Sequence, residues 1–299
     1  MNIRLKHIDA FTDAPLTGNP AGVVVDAEGL TDQQMQRIAF EVRASETAFI
    51  LRPETPDANV RIRWFTPSAE VPLCGHATIA GFHALAEEKM LGMDSIGSYK
   101  FQLETKSGVL AVQVDKRGDS IQVFLSLPIP EFTRAGHYKL DVMRILNIQI
   151  EDFDNHIPIV EAGSLYVPIR RLHTIFALKP NFLAMTQFLA NRGIDGICAF
   201  TTETVDRTSS FHSRYFAPTV GIPEDPVTGS TNGPLGAYLY ERGLISETGP
   251  QINLIGEQGD PIGRKGRVTV RLTVDNDRVT GIAIGGRAVT VLEGDMRVA

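Results

Sequence analysis

A repeat decides the fold: Arg63-Trp64-Phe65-Thr66-Pro67-Ser68 recurs 151 residues later as Arg214-Tyr215-Phe216-Ala217-Pro218-Thr219. The match continues into Val71-Pro72 and Ile222-Pro223. Twice this offset is close to the full length of 299 residues, whereas the repeats of a solenoid are roughly 20–50 residues long. The sequence therefore predicts two homologous domains that share one supersecondary plan.

The first half of the chain shows this plan most clearly. Strand patterns cover Leu5 to Phe11, Val23 to Val25, Thr47 to Leu51 and Val60 to Phe65, and a turn is predicted at Gly18 to Pro20. Thr31, followed three residues later by Gln34, predicts the start of a helix that ends near Ala44. A second helix begins near Gly75 and is apolar nearly all round, which is typical of a helix enclosed by a sheet.

The second half contains a matching helix at Ser230 to Tyr240, with Pro234 near its first turn. The proline-bearing stretch from Leu127 to Pro130 marks the junction of the halves. The predicted domains are therefore residues 1–128 and 129–299, with the last strand able to return to the first domain.

Composition and charge exclude several classes of function. The chain has 29 Lys and Arg against 35 Asp and Glu, a net charge of −6, so it lacks the basic footprint of a nucleic-acid-binding protein. Charged residues interrupt the first residues, and no stretch reaches the roughly 18 apolar residues of a membrane span. The two cysteines offer no disulfide framework, which favours a reducing compartment. We expect a cytoplasmic protein with neither an export signal nor a membrane anchor.

Polar and small residues directly follow both copies of the repeat and lead into the two predicted buried helices. They are Pro72-Leu73-Cys74-Gly75-His76-Ala77-Thr78 and Pro223-Glu224-Asp225-Pro226-Val227-Thr228-Gly229-Ser230. A helix start offers unpaired N–H groups and the positive end of a dipole, so these segments suit a carboxylate or a phosphate. Under the 151-residue offset Cys74 falls opposite Asp225, although a buried thiol and a helix cap would explain the same residues without a site.

Six motifs, in this order, resemble those of the phenazine-biosynthesis PhzF-like family over nearly the whole chain. They are Asp9-Ala10-Phe11-Thr12, Gly18-Asn19-Pro20-Ala21-Gly22-Val23-Val24, Ser45-Glu46-Thr47-Ala48-Phe49, Phe65-Thr66-Pro67, Cys74-Gly75-His76-Ala77-Thr78 and Glu224-Asp225-Pro226-Val227-Thr228-Gly229-Ser230. The resemblance implies an α/β fold of the diaminopimelate-epimerase type. In that fold two pseudo-symmetric domains each wrap a mostly antiparallel mixed sheet around a central helix, and the active site lies in the cleft between them.

The resemblance also assigns roles to residues. The family's acid/base glutamate matches Glu46, and its substrate-binding residues match Gly75, His76, Asp225, Gly229 and Ser230. The implied reaction is an isomerisation without a cofactor, in which a carboxylate moves a proton on a small, carboxylate-bearing metabolite. Relatives are commonly dimers, so a homodimer is expected.

Two departures from the family pattern leave other functions open. Ala77 stands where many relatives have proline, and Thr231-Asn232-Gly233-Pro234 replaces a simple run of small residues, so the substrate is not transferred. Cys74 lies where the epimerases of this fold carry one of two paired cysteines. Cys74 and Asp225 could therefore form the two bases of an amino-acid racemase or epimerase. A third hypothesis is a binding protein for small molecules that lacks turnover.

Other candidate residues point to structure rather than chemistry. His7, His83, His137, His156, His173 and His212 show no spacing typical of metal ligands, and no metal site is predicted. Residues Gly256 to Gly263 are glycine-rich without the pattern of a dinucleotide site, and a loop is expected there. Cys198 lies in an apolar strand pattern and is expected in the core.

Overall fold

The computed structural model describes residues 1–298, and the chain divides into two units. Unit 1 contains Met1–Ser126 together with the segment from Ala283 to the end of the described chain, and unit 2 contains Leu127–Ile282. Unit 2 is therefore an insertion between two segments of unit 1. No helix within residues 1–298 has both the length and the apolar character that crossing a membrane requires.

The elements up to the boundary at Ser126 alternate strands with two helices. They are β1 (Asn2–Ala10), β2 (Asn19–Val24), α1 (Asp32–Val42), β3 (Glu46–Leu51), β4 (Val60–Phe65), β5 (Glu70–Val71), α2 (Gly75–Glu87), β6 (Gly97–Thr105), β7 (Gly108–Arg117) and β8 (Ser120–Leu127). A 3₁₀ turn at Met90–Gly92 follows α2. The predicted strand from Val60 to Phe65 is confirmed to the residue, and Thr31 caps α1 in the predicted capping box with Gln34.

Unit 2 repeats this alternation with additional short elements. They are β9 (Thr133–Arg134), α3 (Lys139–Leu146), β10 (Val160–Ala162), β11 (Ser164–Pro168), α4 (Leu172–Ala177), α5 (Phe182–Ala190), β12 (Ile197–Thr201), β13 (Phe211–Ala217), β14 (Ile222–Asp225), α6 (Gly229–Glu241), β15 (Gln251–Gln258) and β16 (Gly266–Asp275). Strand β17 (Arg278–Gly286) crosses the boundary, and β18 (Ala288–Arg297) lies in unit 1.

The sheet of unit 1 is mixed and mostly antiparallel. Strand β1 pairs antiparallel with both β2 and β18, while β2–β3 and β4–β6 are parallel pairs. The pairs β3–β4, β4–β5, β6–β7 and β7–β8 are antiparallel. Helix α2 packs against β1, β2, β3, β7 and β18 and is buried from His76 through Ala86. This arrangement is the predicted sheet around a central helix.

Unit 2 repeats the pairing pattern. Its β11–β12 and β13–β15 pairs are parallel, and its β12–β13 and β15–β16 pairs are antiparallel. Helix α6 packs against β15 and β16 and is buried along nearly its whole length. The predicted α/β fold class, with a duplicated sheet and central helix, is therefore confirmed.

Matching ion pairs extend the duplication beyond the sequence repeat. In unit 1, Arg63 donates two hydrogen bonds to Glu70, of 2.7 and 2.9 Å. In unit 2, Arg214 donates two hydrogen bonds of 2.8 Å to Glu224. Such two-pronged pairs fix the geometry of both groups, so each unit ties its repeat strand to the short strand that follows it.

A glutamate that holds a loop is also duplicated. The Glu104 carboxylate accepts hydrogen bonds from the backbone N–H groups of Glu54 and Thr55, at 2.7 and 3.0 Å. The Glu257 carboxylate accepts from the N–H groups of Val205 and Asp206, at 2.8 and 2.7 Å. Because each loop closes on a buried or half-buried carboxylate, these acidic residues serve the fold rather than a ligand.

The register of the short strands corrects the sequence alignment of the two halves. Trp64 pairs with Val71, and its repeat partner Tyr215 pairs with Asp225, so these partners lie 154 residues apart rather than 151. The shift arises at the end of the repeat, where unit 2 forms a 3₁₀ turn at Pro218–Val220. Asp225 therefore occupies the position of Val71, and Cys74 corresponds to Thr228, since each precedes the first residue of its helix.

Three local predictions were wrong in detail. Asn19 and Pro20 belong to β2, so the turn before it ends at Gly18, whose φ is +64°. Residues Gly256 to Gln258 complete strand β15, and the predicted loop begins only at Gly259. Pro234 lies inside α6, just beyond the first turn near which it was predicted. In the first two cases strand pairing overrides the usual preference of glycine and proline for turns.

Candidate active site

Glu46 is the first residue of β3 and is almost fully buried, with 8 % of its surface exposed. Its strand is held on both sides, because Glu46 pairs with Ala21 of β2 and the next residue pairs with Phe65 of β4. A carboxylate at such a position is costly to bury without partners. The fold therefore fixes a charged group where an apolar residue would be easier to accommodate.

The start of α2 lies next to this carboxylate. Cys74 precedes the helix, and its side chain does not cap the helix. Gly75 and His76 are the first two helical residues. The first N–H groups of a helix have no partner within it and mark the positive end of its dipole. This end of α2 is thus suited to a negatively charged group.

His76 connects the side chains of this site. Its Nε2 lies 3.2 Å from Glu46 Oε2 and 3.1 Å from Ser45 Oγ. Its Nδ1 lies 3.4 Å from Cys74 Sγ. The imidazole therefore has a carboxylate and a hydroxyl on one nitrogen and a thiol on the other, an arrangement in which it can exchange protons with either side.

The Glu46 carboxylate is incompletely satisfied. Although Oε2 lies within ion-pair distance of His76, no group among residues 1–298 gives this buried atom a well-oriented hydrogen bond. Buried polar atoms in folded proteins nearly always have such a partner, and each exception calls for an explanation, such as strain, a catalytic role or a bound ion. Oε2 is consequently an atom of this site that is able to accept a hydrogen bond from a ligand.

The predicted residue Asp225 belongs to a second polar cluster, in unit 2. Asp225 ends β14 and is buried, and the Thr228 hydroxyl donates a hydrogen bond to Asp225 Oδ2. The Gln258 amide donates to Asp225 O and Thr228 Oγ1, at 2.9 and 3.1 Å. Asn232 in turn donates to Gln258 Oε1 at 2.8 Å. Most polar groups of this cluster hydrogen-bond to each other.

Gly229 and Ser230 open helix α6 directly after this cluster. Gly229 is buried, whereas Ser230 is exposed and able to meet a solute. The structure thus groups the predicted residues into two sets, one of Glu46, Cys74, Gly75 and His76 in unit 1, and one of Asp225, Gly229 and Ser230 in unit 2.

Sequence reasoning missed four polar residues of these two sets: Ser45, Thr228, Asn232 and Gln258. Ser45 and Thr228 lie within the quoted motifs, and their position beside Glu46 and Gly229 was a usable signal. No sequence signal pointed to Gln258, because it lies in the glycine-rich stretch that is predicted to form a loop.

Comparisons with known proteins agree with the motif resemblance. Residues 8–294 match the family described as phenazine biosynthesis-like protein. An uncharacterized isomerase of Clostridium acetobutylicum is 37 % identical over 298 residues, which span 98 % of this chain and 97 % of that protein. The trans-2,3-dihydro-3-hydroxyanthranilate isomerase of Pseudomonas chlororaphis is 32 % identical over 289 residues, with 96 % of each chain covered.

A solved structure shows the same fold. The PhzF-family phenazine biosynthesis protein of Bacillus anthracis superposes with a TM-score of 0.88 at 34 % identity, and 99 % of each chain is covered. The predicted resemblance is therefore confirmed across the whole chain. Because the similar proteins carry the name isomerase, they support an isomerase here as well.

Proposed function

Because the chain belongs to the phenazine biosynthesis-like protein family, we propose that it is a cofactor-independent isomerase that uses Glu46 as its acid/base. The substrate is a small molecule that bears a carboxylate. In this reaction Glu46 removes a proton from one carbon and delivers it to another carbon of the same molecule, so that a double bond moves and no atom is gained or lost.

The carrying observation is the buried, poorly satisfied Oε2 of Glu46 beside His76. A general base must come within about 2.6–3.2 Å of the atom that gives up the proton. Oε2 lies 3.2 Å from His76 Nε2, so a proton taken up by the carboxylate has a neighbour that can share it. The contacts of Ser45 and Cys74 with the imidazole hold its ring in this orientation.

The start of α2 supports the carboxylate-bearing substrate. Its N–H groups and dipole favour an anion, and Gly75 leaves the backbone open, since a side chain there would meet its nearest neighbour, Ile284, only at 3.9 Å. Asp225, Gly229 and Ser230 remain the predicted substrate-binding residues of unit 2.

The first compound to test is the substrate named for the Pseudomonas chlororaphis relative, trans-2,3-dihydro-3-hydroxyanthranilate. It bears a carboxylate and an unsaturated ring, as the proposed chemistry requires. Ala77 and the residues from Thr231 to Pro234 depart from the family pattern near the two helix starts. We therefore propose a substrate class rather than this one compound, and a panel of unsaturated and amino-bearing carboxylic acids extends the test.

The decisive experiment follows deuterium from heavy water into the substrate by mass spectrometry. Glu46→Gln keeps the shape of the side chain but cannot carry the proton, so we expect exchange to fall by about 10²–10⁴-fold. Cys74→Ala should retain most of the exchange. Cys198→Ser, at the other cysteine, serves as the control.

The alternatives give different outcomes in this experiment. Exchange that survives Glu46→Gln but disappears in Cys74→Ala would reject the glutamate mechanism and favour a racemase that uses Cys74. A wild-type protein that binds these acids without any exchange would be a binding protein, and the proposed isomerase would be wrong.

A further inference from the structure

We infer that Glu46, Cys74 and His76 form a binding site for a thiophilic divalent cation such as Zn²⁺, and that this ion blocks the site rather than serving it. Oxygen, sulfur and nitrogen donors of these three residues all lie within 4.8 Å of one another. The three side chains come from two separate elements, the start of β3 and the start of α2.

The carboxylate and the imidazole are already spaced for a tetrahedral ion. Zinc bound to nitrogen and oxygen at about 2.0–2.2 Å holds those two atoms roughly 3.4 Å apart, and bound to sulfur at about 2.3 Å it holds sulfur and nitrogen roughly 3.6 Å apart. Glu46 Oε2 and His76 Nε2 are already 3.2 Å apart. Cys74 Sγ lies 4.0 Å from the same nitrogen but 3.4 Å from Nδ1, so the thiol must rotate toward the Nε2 side of the ring to complete the set of donors.

The surrounding contacts allow this change. Binding through Nε2 would displace Ser45 Oγ, which lies 3.1 Å from that nitrogen. Ser45 has a second partner, because its hydroxyl also donates to the Pro20 carbonyl oxygen at 3.3 Å. Glu46 Oε2, which no residue within 1–298 satisfies with a well-oriented hydrogen bond, would gain a strong partner. The cation therefore gives a partner to a buried group that lacks a well-oriented hydrogen bond.

The donor set selects the class of metal. Thiolate and imidazole ligands favour Zn²⁺ and its spectroscopic substitute Co²⁺, whereas Mg²⁺ and Ca²⁺ prefer sites made of oxygen alone. Three protein ligands leave a fourth position open, which resembles the ligand count of catalytic zinc sites. Here, however, the ion binds the carboxylate oxygen that the proposed reaction needs as its base, so Zn²⁺ should inhibit the isomerase reaction. Only this inhibitory consequence rests on the proposed function.

Cysteine offers a matched control, because the chain contains only Cys74 and Cys198. Cys198 is fully buried, and this burial raises the pKa of its thiol to about 12, so it stays protonated and is a poor ligand. A thiolate–metal signal that depends on one cysteine and not on the other therefore identifies the site without any assay of turnover.

The test titrates Co²⁺ into chelator-treated protein and records the near-ultraviolet charge-transfer band of a cobalt–thiolate bond. We expect one equivalent of Co²⁺ to bind to wild type and to Cys198→Ser with this band, Zn²⁺ to displace it and excess Mg²⁺ to leave it unchanged. Cys74→Ser should lose the band. His76→Gln and Glu46→Gln should weaken binding by at least the roughly 10–100-fold that loss of an outer-shell partner costs.

A band that is absent from wild type, that persists in Cys74→Ser, or that disappears in Cys198→Ser would overturn the metal site. Circular dichroism of each variant establishes that it is folded, and Cys74→Ala provides a second variant at the same position. The two proposals fail separately. If wild type shows the cobalt band but Glu46→Gln exchanges deuterium as fast as wild type, only the glutamate mechanism is rejected. If wild type shows no band but Glu46→Gln exchanges deuterium more slowly, only the metal site is rejected.

Discussion

Position 46 in unit 1 and position 196 in unit 2 are equivalent, yet the first carries an acidic side chain and the second carries none. Thr47 pairs with Phe65 and Ile197 pairs with Phe216, and these two phenylalanines are partners in the repeat. The residue before each pair is Glu46 in one unit and Gly196 in the other. The duplicated scaffold therefore presents the carboxylate only once.

Unit 2 has no room for a side chain at this position. A Cβ atom on Gly196 would lie 2.6 Å from the Phe216 carbonyl oxygen and 2.6 Å from the Tyr215 hydroxyl. That hydroxyl is fixed by Ser164, whose Oγ lies 3.1 Å away. At this position unit 1 holds the Glu46 carboxylate, which lacks a well-oriented hydrogen bond on Oε2. In unit 2 the Tyr215 hydroxyl fills the corresponding space and has Ser164 as its partner.

If Glu46 has the proposed role, this difference separates folding from chemistry. The arginine–glutamate pairs and the loop-holding glutamates occur in both units, as features needed to build each sheet would. The poorly satisfied carboxylate occurs at this position in unit 1 only, at a place where the repeat shows that the fold does not need it. Substitutions at equivalent positions should therefore affect activity in one unit and stability in the other.

The largest effect is expected at Glu46 itself. Glu46→Ala removes the carboxylate, so deuterium exchange into the substrate should fall by about 10²–10⁴-fold. The free energy of unfolding should change by less than about 1 kcal/mol, because the lost group has few compensating bonds. Exchange kinetics and urea unfolding measure the two quantities, and Glu104→Gln in the same unit should leave the exchange rate intact. A stability loss that matches the rate loss would make Glu46 a structural residue.

The two loop-holding glutamates should differ in their contribution to stability. Glu257 and its partner His212 are fully buried, whereas Glu104 keeps 16 % of its side chain exposed and lies 3.8 Å from Arg61. Glu257→Gln turns an NH₂ group toward backbone donors and breaks a buried pair, which should cost about 3–5 kcal/mol. Glu104→Gln should cost about 0.5–1.5 kcal/mol. Equal shifts of the urea midpoints would contradict this ranking.

A smaller loss of stability is expected from Gly196→Ala. The added methyl group overlaps a backbone oxygen and a held hydroxyl, so we expect a cost of about 1–3 kcal/mol. Gly136→Ala in the same unit is the matched control, since its Cβ would meet no atom within 4 Å. Thermal unfolding of both variants measures the difference. Tolerance of alanine at position 196 would show that unit 2 could also hold a side chain there.

A further expected effect concerns the pH dependence of stability. Burial acts to raise the pKa of Glu257, but hydrogen bonds from His212 and from two backbone N–H groups outweigh it and hold the pKa at about 2. Because this pKa lies below the ordinary value of 4.5, Glu257 stabilises the fold above pH 4.5 and loses that effect as the pH falls toward 2.

Acid titrations of unfolding check this expectation. Between pH 4.5 and 2 the Glu257→Gln variant should lose stability less steeply than wild type. Part of the slope should remain, since Glu87 of unit 1 also has a pKa of about 2, held there against burial by His83, Thr290 and Lys6. An unchanged slope would mean that Glu257 is not the group that titrates.

The sequence was sufficient where local patterns determine structure. Alternation predicted the strand from Val60 to Phe65, and the spacing of Thr31 and Gln34 predicted a capped helix. It was insufficient where contacts join distant segments. The pairing of Tyr215 with Asp225 shifts the two halves by three residues, and no periodicity shows where such an insertion falls.

The candidate site divides in the same way. Glu46 and His76 were identified through family motifs, but the 3.2 Å contact between them follows from β3 and α2 meeting in space. Gln258 was hidden because glycine-rich sequence looks like a loop even when strand pairing holds it. The roles of the site residues, the domain limits, the homodimer and the cytoplasmic location stay predictions. Light scattering that detects single chains would contradict the homodimer.

The pairing of β18 with β1 determines how the molecule would respond to tension. Asn2 pairs with Arg297, and the amino group of Met1 donates a hydrogen bond to the Val298 carbonyl oxygen. A force that separates these neighbouring ends would open the antiparallel pair like a zipper, one bond after another. Unit 2 is inserted within unit 1, so no load would reach it until the sheet that holds Glu46 had begun to open.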